Sequence, residues 1–264
     1  MSNYVLVATA MLASAAFVLQ LSNNFVGLPT GFGMTIDLVA VPTILALFLF
    51  GFLPSLEVLF LSTIFIALFA SSGPIGASMK FGATAPTLLV FGLYSFLRSR
   101  KINHPFVLVL LFSLIFGLLV FALGAFSYSL LWAEGKLLAG IFPIISMALL
   151  MFLLYALFEN QKSKSFSHLF QDSKTILLLA PIAIVIRGIS MVVANFYFAG
   201  PLYFKMTTEQ FVELVSSSDL LFFGSGAIWY IAIFFFNAIQ AAVELGLAWL
   251  IAFKLGFARK YSSC

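Results

Sequence analysis

Two apolar stretches near the end of the chain carry polar side chains at helical spacing. The first, "RGISMVVANFYFAGPLYF" at 187–204, contains Arg187 and Asn195, eight residues apart. The second contains Asn237, Gln240 and Glu244, spaced by three and then four residues. Residues at these spacings share one face of an α-helix. Carboxamides both donate and accept hydrogen bonds and so suit a neutral polar molecule, whereas a buried arginine requires an anionic partner.

The two stretches are expected to run antiparallel, which sets the depth of each polar group. Arg187 lies eight residues from Asn195 and Glu244 lies seven from Asn237, which corresponds to about 12 Å and about 10 Å. If the asparagines lie at similar depth, Arg187 and Glu244 meet. We predict an outer ligand-binding layer of Asn195, Asn237 and Gln240 above an ion pair that joins the helices. Alternatively, the carboxamides only form hydrogen bonds between helices.

Other polar and small residues are candidates for binding or contact. Asp37 either positions the loop before it or contacts a ligand, and Lys80 either pairs with Asp37 or meets an acidic ligand group. Ala10 and Ser14 share a face of the first apolar stretch, which lets another helix approach closely, either from within the protein or from a partner. Thr207 lies three residues before Gln210, the spacing of a capping box for a short surface helix.

The composition is that of a membrane protein. Of 264 residues, 63% are hydrophobic and 8% are charged, whereas a soluble domain has about 25% charged residues. Apolar runs of about 17–25 residues recur along the chain, long enough to span a bilayer as helices. We therefore predict an all-α integral membrane protein that forms a single membrane domain over residues 1–264.

The apolar runs also predict the topology. Eight candidate spans lie at roughly 4–21, 36–53, 55–71, 77–97, 105–127, 137–158, 175–199 and 226–253. Basic residues are enriched in cytoplasmic loops, and with both termini inside, nine of them fall in inner loops and three in outer loops. The inner set is Arg98, Arg100, Lys101, Lys162, Lys164, Lys174, Lys254, Arg259 and Lys260, and the outer set is Lys80, Lys136 and Lys205. We predict a multi-pass plasma-membrane protein with cytoplasmic termini.

Several function classes are disfavoured by the sequence. The net charge of +4 comes from these short loops and does not indicate nucleic-acid binding. The single cysteine, Cys264, rules out an intramolecular disulfide and a multi-cysteine metal site. The chain contains neither the G-x-x-x-x-G-K-[ST] phosphate loop nor an H-E-x-x-H or G-x-S-x-G motif. We therefore predict a non-enzymatic protein without a metal or cofactor.

Four stretches are similar to a known family. They are "AMLASAAFVLQL", "IDLVAVPTILALFLFGFLPSLEVLF", "RGISMVVANFYFAGPLY" and "FFNAIQAAVE". They resemble, in order, the first helix, the Asp-x-x-x-x-Pro hairpin, the Arg…Met…Asn helix and the Phe-Asn-x-Ile last helix of S components. These are the substrate-binding subunits of energy-coupling factor (ECF) vitamin transporters, and the likeness is to the riboflavin-specific group.

The resemblance implies a fold, a ligand and partners. The fold would be a six-helix S-component bundle with an inserted helix pair at about 104–160. Asn195, Asn237 and Gln240 would contact the isoalloxazine edge of riboflavin, which is the transported ligand rather than a cofactor. The face with Ala10 and Ser14 would contact a transmembrane scaffold subunit, and two ABC-type ATPases would supply the energy.

The chain departs from the family pattern at three candidate positions. Gln240 stands where the family often has lysine, Lys80 where it often has asparagine, and Phe196 where it usually has tyrosine. These departures leave FMN or another vitamin as an alternative cargo, because Lys80 could serve a phosphate. An ion-coupled carrier and an intramembrane enzyme are alternatives of a different class.

Overall fold

The computed structural model describes residues 3–23, 27–29, 35–101, 103–109, 111–112, 168–217 and 227–258. The labelled elements are α1 (Asn3–Leu21), β1 (Leu28–Pro29), β2 (Thr35–Ile36), α2 (Val41–Phe50), α3 (Phe52–Phe69), α4 (Gly73–Ser99), α5 (Ser173–Ala194), α6 (Gly200–Phe204), α7 (Thr208–Ser217) and α8 (Ala227–Trp249). A π-helical segment, Asn195–Ala199, joins α5 to α6, and a second, Leu250–Lys254, continues α8.

The predicted all-α membrane fold is confirmed. Among the described residues, five helical segments are long and apolar enough to cross a membrane: Asn3–Leu21, Phe52–Phe69, Gly73–Ser99, Ser173–Phe204 and Trp229–Lys254. Helix α2 is apolar but shorter. The predicted spans 105–127 and 137–158, and with them the inserted pair at 104–160, lie almost wholly outside the described residues. The number of eight spans and the cytoplasmic location of both termini therefore stay predictions.

Two predicted spans begin at other residues than expected. The span predicted at 36–53 does not start as a helix, because Thr35–Ile36 pair as strand β2 and the helix begins only at Val41. The span predicted at 77–97 instead begins at Gly73, with Pro74 in its first turn. Proline is favoured there because the first amides of a helix have no acceptor within it.

An aromatic core holds one end of the bundle together. Helix α4 packs against α3 and α5, while α8 packs against α5 and α2. The rings of Phe48, Phe91 and Phe170 contact one another with centroids 5.4–5.9 Å apart. The indole of Trp249 donates a hydrogen bond of 2.9 Å to the carbonyl of Phe170. This end is therefore built from apolar contacts, which leaves the polar residues to the opposite end.

The opposite end, called the loop end below, is where α1 and α5 finish and α4 and α8 begin. Strands β1 and β2 pair there antiparallel, with Leu28 opposite Ile36. Gly27 precedes β1 at a crowded point, since a Cβ atom on it would lie 2.1 Å from Oδ1 of Asn23 and 2.4 Å from Cγ2 of Thr35. The glycine therefore lets the strand pair lie directly against Asn23.

The predicted capping box is present at the start of α7. The amide of Gln210 donates to Oγ1 of Thr207, and the amide of Thr207 donates to Oε1 of Gln210, both at 2.9 Å. Two backbone donors that have no partner within the helix are satisfied in this way. The ring of Phe211 then packs on Gly200, where a Cβ atom would lie 2.4 Å from it, so α7 lies against the end of the long segment Ser173–Phe204.

We expect Thr207→Ala to loosen the first turn of α7 without unfolding the bundle. Loss of such a cap costs about 1 kcal/mol, so backbone amides at 208–211 should exchange with solvent about fivefold faster. Hydrogen exchange with mass spectrometry would measure this. Gln210→Ala should have a similar effect, and the double variant should add little. Unchanged exchange in both single variants would contradict the role of the box.

Candidate functional site

The deepest polar feature of the loop end is an ion pair between α5 and α8. Nη1 of Arg187 contacts Oε2 of Glu244, as the spacing predicted. The two residues are 1% and 0% exposed. Because both charges are out of solvent, each depends on the other for compensation. The pair therefore fixes the register of α5 against α8.

Gln240 extends this pair toward the loop end. Its amide nitrogen donates to Oε1 of Glu244 at 2.9 Å and to Oδ1 of Asp37 at 3.1 Å. Gln240 is one helical turn from Glu244, about 6 Å along the axis, and is 7% exposed. The sequence placed Gln240 in an outer layer separate from the ion pair. Instead it connects Glu244 with Asp37.

Asp37 is the point where several elements meet. It follows β2 and precedes α2, and its Oδ1 accepts from the amide of Val39 at 3.1 Å. Its Oδ2 accepts from Nδ2 of Asn23 at 3.1 Å and contacts Nζ of Lys80. Asp37 is 6% exposed, and its carboxylate orders the chain around it. This buried carboxylate is the starting point both for positioning the preceding loop and for contacting a ligand.

Together these contacts form a continuous buried polar network. Its members come from the end of the chain segment after α1, the β2–α2 connection, α4, α5 and α8: Asn23, Asp37, Lys80, Arg187, Gln240 and Glu244. Two carboxylates balance two cations, so the network has no formal net charge. Lys80 is its most accessible charged member, with a side chain 22% exposed. The network thus leads from the surface of the loop end to the fully buried ion pair.

Both predicted asparagines donate a hydrogen bond within their own helix. Nδ2 of Asn195 donates to the carbonyl of Met191, and Nδ2 of Asn237 donates to the carbonyl of Ile233, both at 2.8 Å. Each bond is to the preceding turn of the residue's own helix. Polar side chains in helices often form such local hydrogen bonds to the backbone. Rotation about the side-chain torsions would free the carboxamide for another partner.

Asn195 also begins the π-helical segment that ends α5. The amide of Gly200 donates to the carbonyl of Asn195, one residue further than in an α-helix. Single π turns within α-helices occur frequently at functional sites. Next to Asn195, the ring of Phe196 stacks on Tyr230 with centroids 3.8 Å apart and planes 6° apart. A flat aromatic pair therefore lies one residue along the helix from Asn195.

Some polar groups at the loop end were missed by the sequence reasoning. Asn23 bonds to Asp37, yet its Oδ1 is buried and has no hydrogen-bond partner among the described residues, as is also true of Oε1 of Gln20 and Oγ of Ser72. Gln20 and Asn23 could have been identified from the sequence, because they lie three residues apart at the end of the first apolar run. These oxygens add acceptor capacity beside the network.

The small residues of α1 divide between two faces. Thr9, Ala13 and Ala16 are buried against the rest of the bundle. Ala10 and Ser14 are exposed, and the hydroxyl of Ser14 donates to the carbonyl of Ala10 at 2.9 Å. The face predicted to contact a partner helix is thus accessible on the surface of the protein.

Comparison with solved structures bears on the fold. A structure of the S component of a bacterial ECF transporter is similar with a TM-score of 0.51 and 19% sequence identity, covering 97% of this chain and 97% of that chain. The fold resembles that of an S component. At this identity the likeness extends to the fold alone. No family model matches the sequence, and no curated protein matches it.

Proposed function

We propose that this chain is the substrate-binding S component of an ECF-type importer in the plasma membrane. The observation that carries the proposal is the likeness in fold to an S component over 97% of both chains. The polar network at the loop end supports a binding role, because buried polar groups in membrane spans are costly and are usually functional. ATP would be hydrolysed by two ABC-type ATPases joined to the chain through a scaffold subunit, since the chain has no phosphate loop.

Riboflavin is the proposed cargo. Its ring system is large and apolar, with a uracil-like edge of alternating donors and acceptors. The carboxamides of Asn195, Asn237 and Gln240 match such an edge without adding charge. Binding would require Asn195 and Asn237 to exchange the bonds to their own helices for bonds to the flavin. Gln240 would offer its carbonyl oxygen, because its amide nitrogen is bonded to Asp37 and Glu244.

Uptake of labelled riboflavin into membrane vesicles tests the importer proposal. The chain would be expressed with a scaffold subunit and two ATPases, and uptake would be compared with and without ATP. Accumulation that depends on ATP and on all four proteins is the expected result. Robust uptake by the chain alone, in ATP-depleted vesicles with a proton gradient, would contradict the proposal and favour an ion-coupled carrier.

The effect of Lys80→Ala on the two affinities distinguishes riboflavin from FMN as the cargo. Because Lys80 contacts Asp37 and is only partly exposed, we expect Lys80→Ala to weaken riboflavin and FMN binding by a similar factor. Loss of a partly exposed ion pair costs at most about 1 kcal/mol, or about fivefold in affinity. Titration of the purified chain with both flavins measures this. A loss confined to FMN would instead assign Lys80 to a phosphate and favour FMN as the cargo.

A further inference from the structure

The side-chain amide nitrogen of Gln240 is fully used within the protein. Such a nitrogen carries two hydrogens and can donate twice. Nε2 of Gln240 lies 3.1 Å from Oδ1 of Asp37 and 2.9 Å from Oε1 of Glu244, so each hydrogen has a carboxylate as its acceptor. The main-chain carbonyl oxygen of Asp37 is also near, at 3.4 Å. The nitrogen therefore has no hydrogen left to donate to a bound molecule.

The two carboxylates also fix which way this carboxamide faces. Asp37 contacts Lys80 through its other oxygen, Oδ2. Glu244 contacts Arg187 through Oε2. An ionised carboxylate only accepts hydrogen bonds. If the carboxamide turned over, its oxygen would face two carboxylate oxygens, and no hydrogen would lie between these three acceptors. The orientation with the nitrogen toward the carboxylates is therefore strongly preferred.

The oxygen of the same carboxamide is the group that remains for a ligand. Oε1 of Gln240 accepts no hydrogen bond from the part of the chain that the structure describes, and the bonds of this side chain all run through Nε2. The residue is nearly buried, with 7% of its surface exposed. A buried acceptor without a donor is costly. A donor on a bound molecule would therefore be stabilised at this point.

We infer that Gln240 selects the cargo by accepting a hydrogen bond from it, and that Asp37 and Glu244 are positioning residues that hold Gln240 as an acceptor. This rests on the proposed function, since it assumes a cargo bound at the loop end. It adds a requirement on the chemistry of that cargo, which must present an N–H donor to Gln240. The oxidised ring system of riboflavin has one such donor, the imide N–H between two carbonyl groups. Molecules with only acceptors on that edge are excluded.

The affinities for two flavins test this requirement. In 3-methylriboflavin a methyl group replaces the imide hydrogen, so the donor is lost while the rest of the molecule is unchanged. Fluorescence titration of the purified full chain should show that 3-methylriboflavin binds about tenfold more weakly than riboflavin, or weaker still, because Oε1 of Gln240 then has no partner. Equal affinities for the two flavins would overturn the inference.

The imide proton itself separates the hydrogen bond from the added volume of a methyl group. Riboflavin labelled with nitrogen-15 at the imide is bound to saturation, and its N–H signal is followed by NMR. Gln240→Met keeps the length of the side chain but lacks the carbonyl acceptor, so the proton signal should shift upfield and exchange with water about tenfold faster than in the wild-type complex. Gln171→Met makes the same change at an exposed residue just before α5 and should leave the signal unchanged.

Asp37→Asn tests the positioning role. Asparagine has nearly the same shape but carries a donor, so the carboxamide of Gln240 can turn over and accept from it. The imide signal should then shift in the same direction as in Gln240→Met, and the thermal midpoint of each variant shows that it is folded. An unchanged signal in Gln240→Met would overturn the role of Gln240, and an unchanged signal in Asp37→Asn would overturn that of Asp37. A folded wild-type chain that binds neither flavin refutes the proposed cargo, and the inference with it.

Discussion

Replacing Glu244 with glutamine is expected to lower the free energy of unfolding by about 3–5 kcal/mol, because removal of one partner leaves a buried charge uncompensated. Arg187 is 1% exposed, and Glu244 is the residue that holds it. The same change removes an anion that accepts from Gln240. Thermal unfolding of the purified chain in mild detergent would show a large fall in the midpoint.

Two comparisons separate charge from other effects of the substitution. Glu213→Gln makes the same chemical change on the exposed face of α7 and should leave the midpoint nearly unchanged. The double variant Arg187→Met with Glu244→Met removes both charges and should be markedly more stable than Glu244→Gln, since apolar replacement of a buried pair is often nearly neutral. Equal midpoints for Glu244→Gln and Glu213→Gln would contradict the structural role of the pair.

Asn195→Ala is expected to weaken riboflavin binding by about 1–3 kcal/mol, or about 5- to 150-fold, because a polar edge of the bound flavin loses its partner. Stability should change little, since the side chain bonds locally, to the carbonyl of Met191 in its own helix. Fluorescence titration of the purified chain with riboflavin measures the affinity, and the thermal midpoint of the unliganded chain measures the stability.

Asn3→Ala provides a matched control at the far end of the molecule. Asn3 is an exposed asparagine at the start of α1, away from the loop end. Its substitution should leave riboflavin affinity unchanged. Equal affinities for wild type, Asn195→Ala and Asn3→Ala would remove Asn195 from the binding site and leave its bond to Met191 as its structural role.

Local and periodic features could be predicted from the sequence. The long apolar runs indicated the membrane helices because a span must be apolar over its whole length. The contact of Arg187 with Glu244 followed from helical spacing and antiparallel packing, since both fix depth along the axis. The reciprocal bonds of Thr207 and Gln210 followed from a spacing of three residues, because such bonds depend only on the local backbone.

Contacts that depend on irregular backbone were not predicted. Asp37 was assigned to the mouth of a helix, but the chain there forms a strand and a turn before α2 begins, and this brings Asp37 to Gln240. That contact joins residues 203 positions apart and has no periodic signal. The π turn at Asn195 was also missed, because one residue inserted into a helix leaves the apolar pattern nearly intact.

The visible absorption spectrum of the chain, purified alone in mild detergent from cells grown with riboflavin, tests the central claim most directly. The account predicts a flavin spectrum at about one flavin per chain, with the bound flavin lost in Asn195→Ala and in Asn237→Ala and retained in Asn3→Ala. A colourless, well-folded protein that takes up neither riboflavin nor FMN would contradict the assignment of a flavin as the cargo.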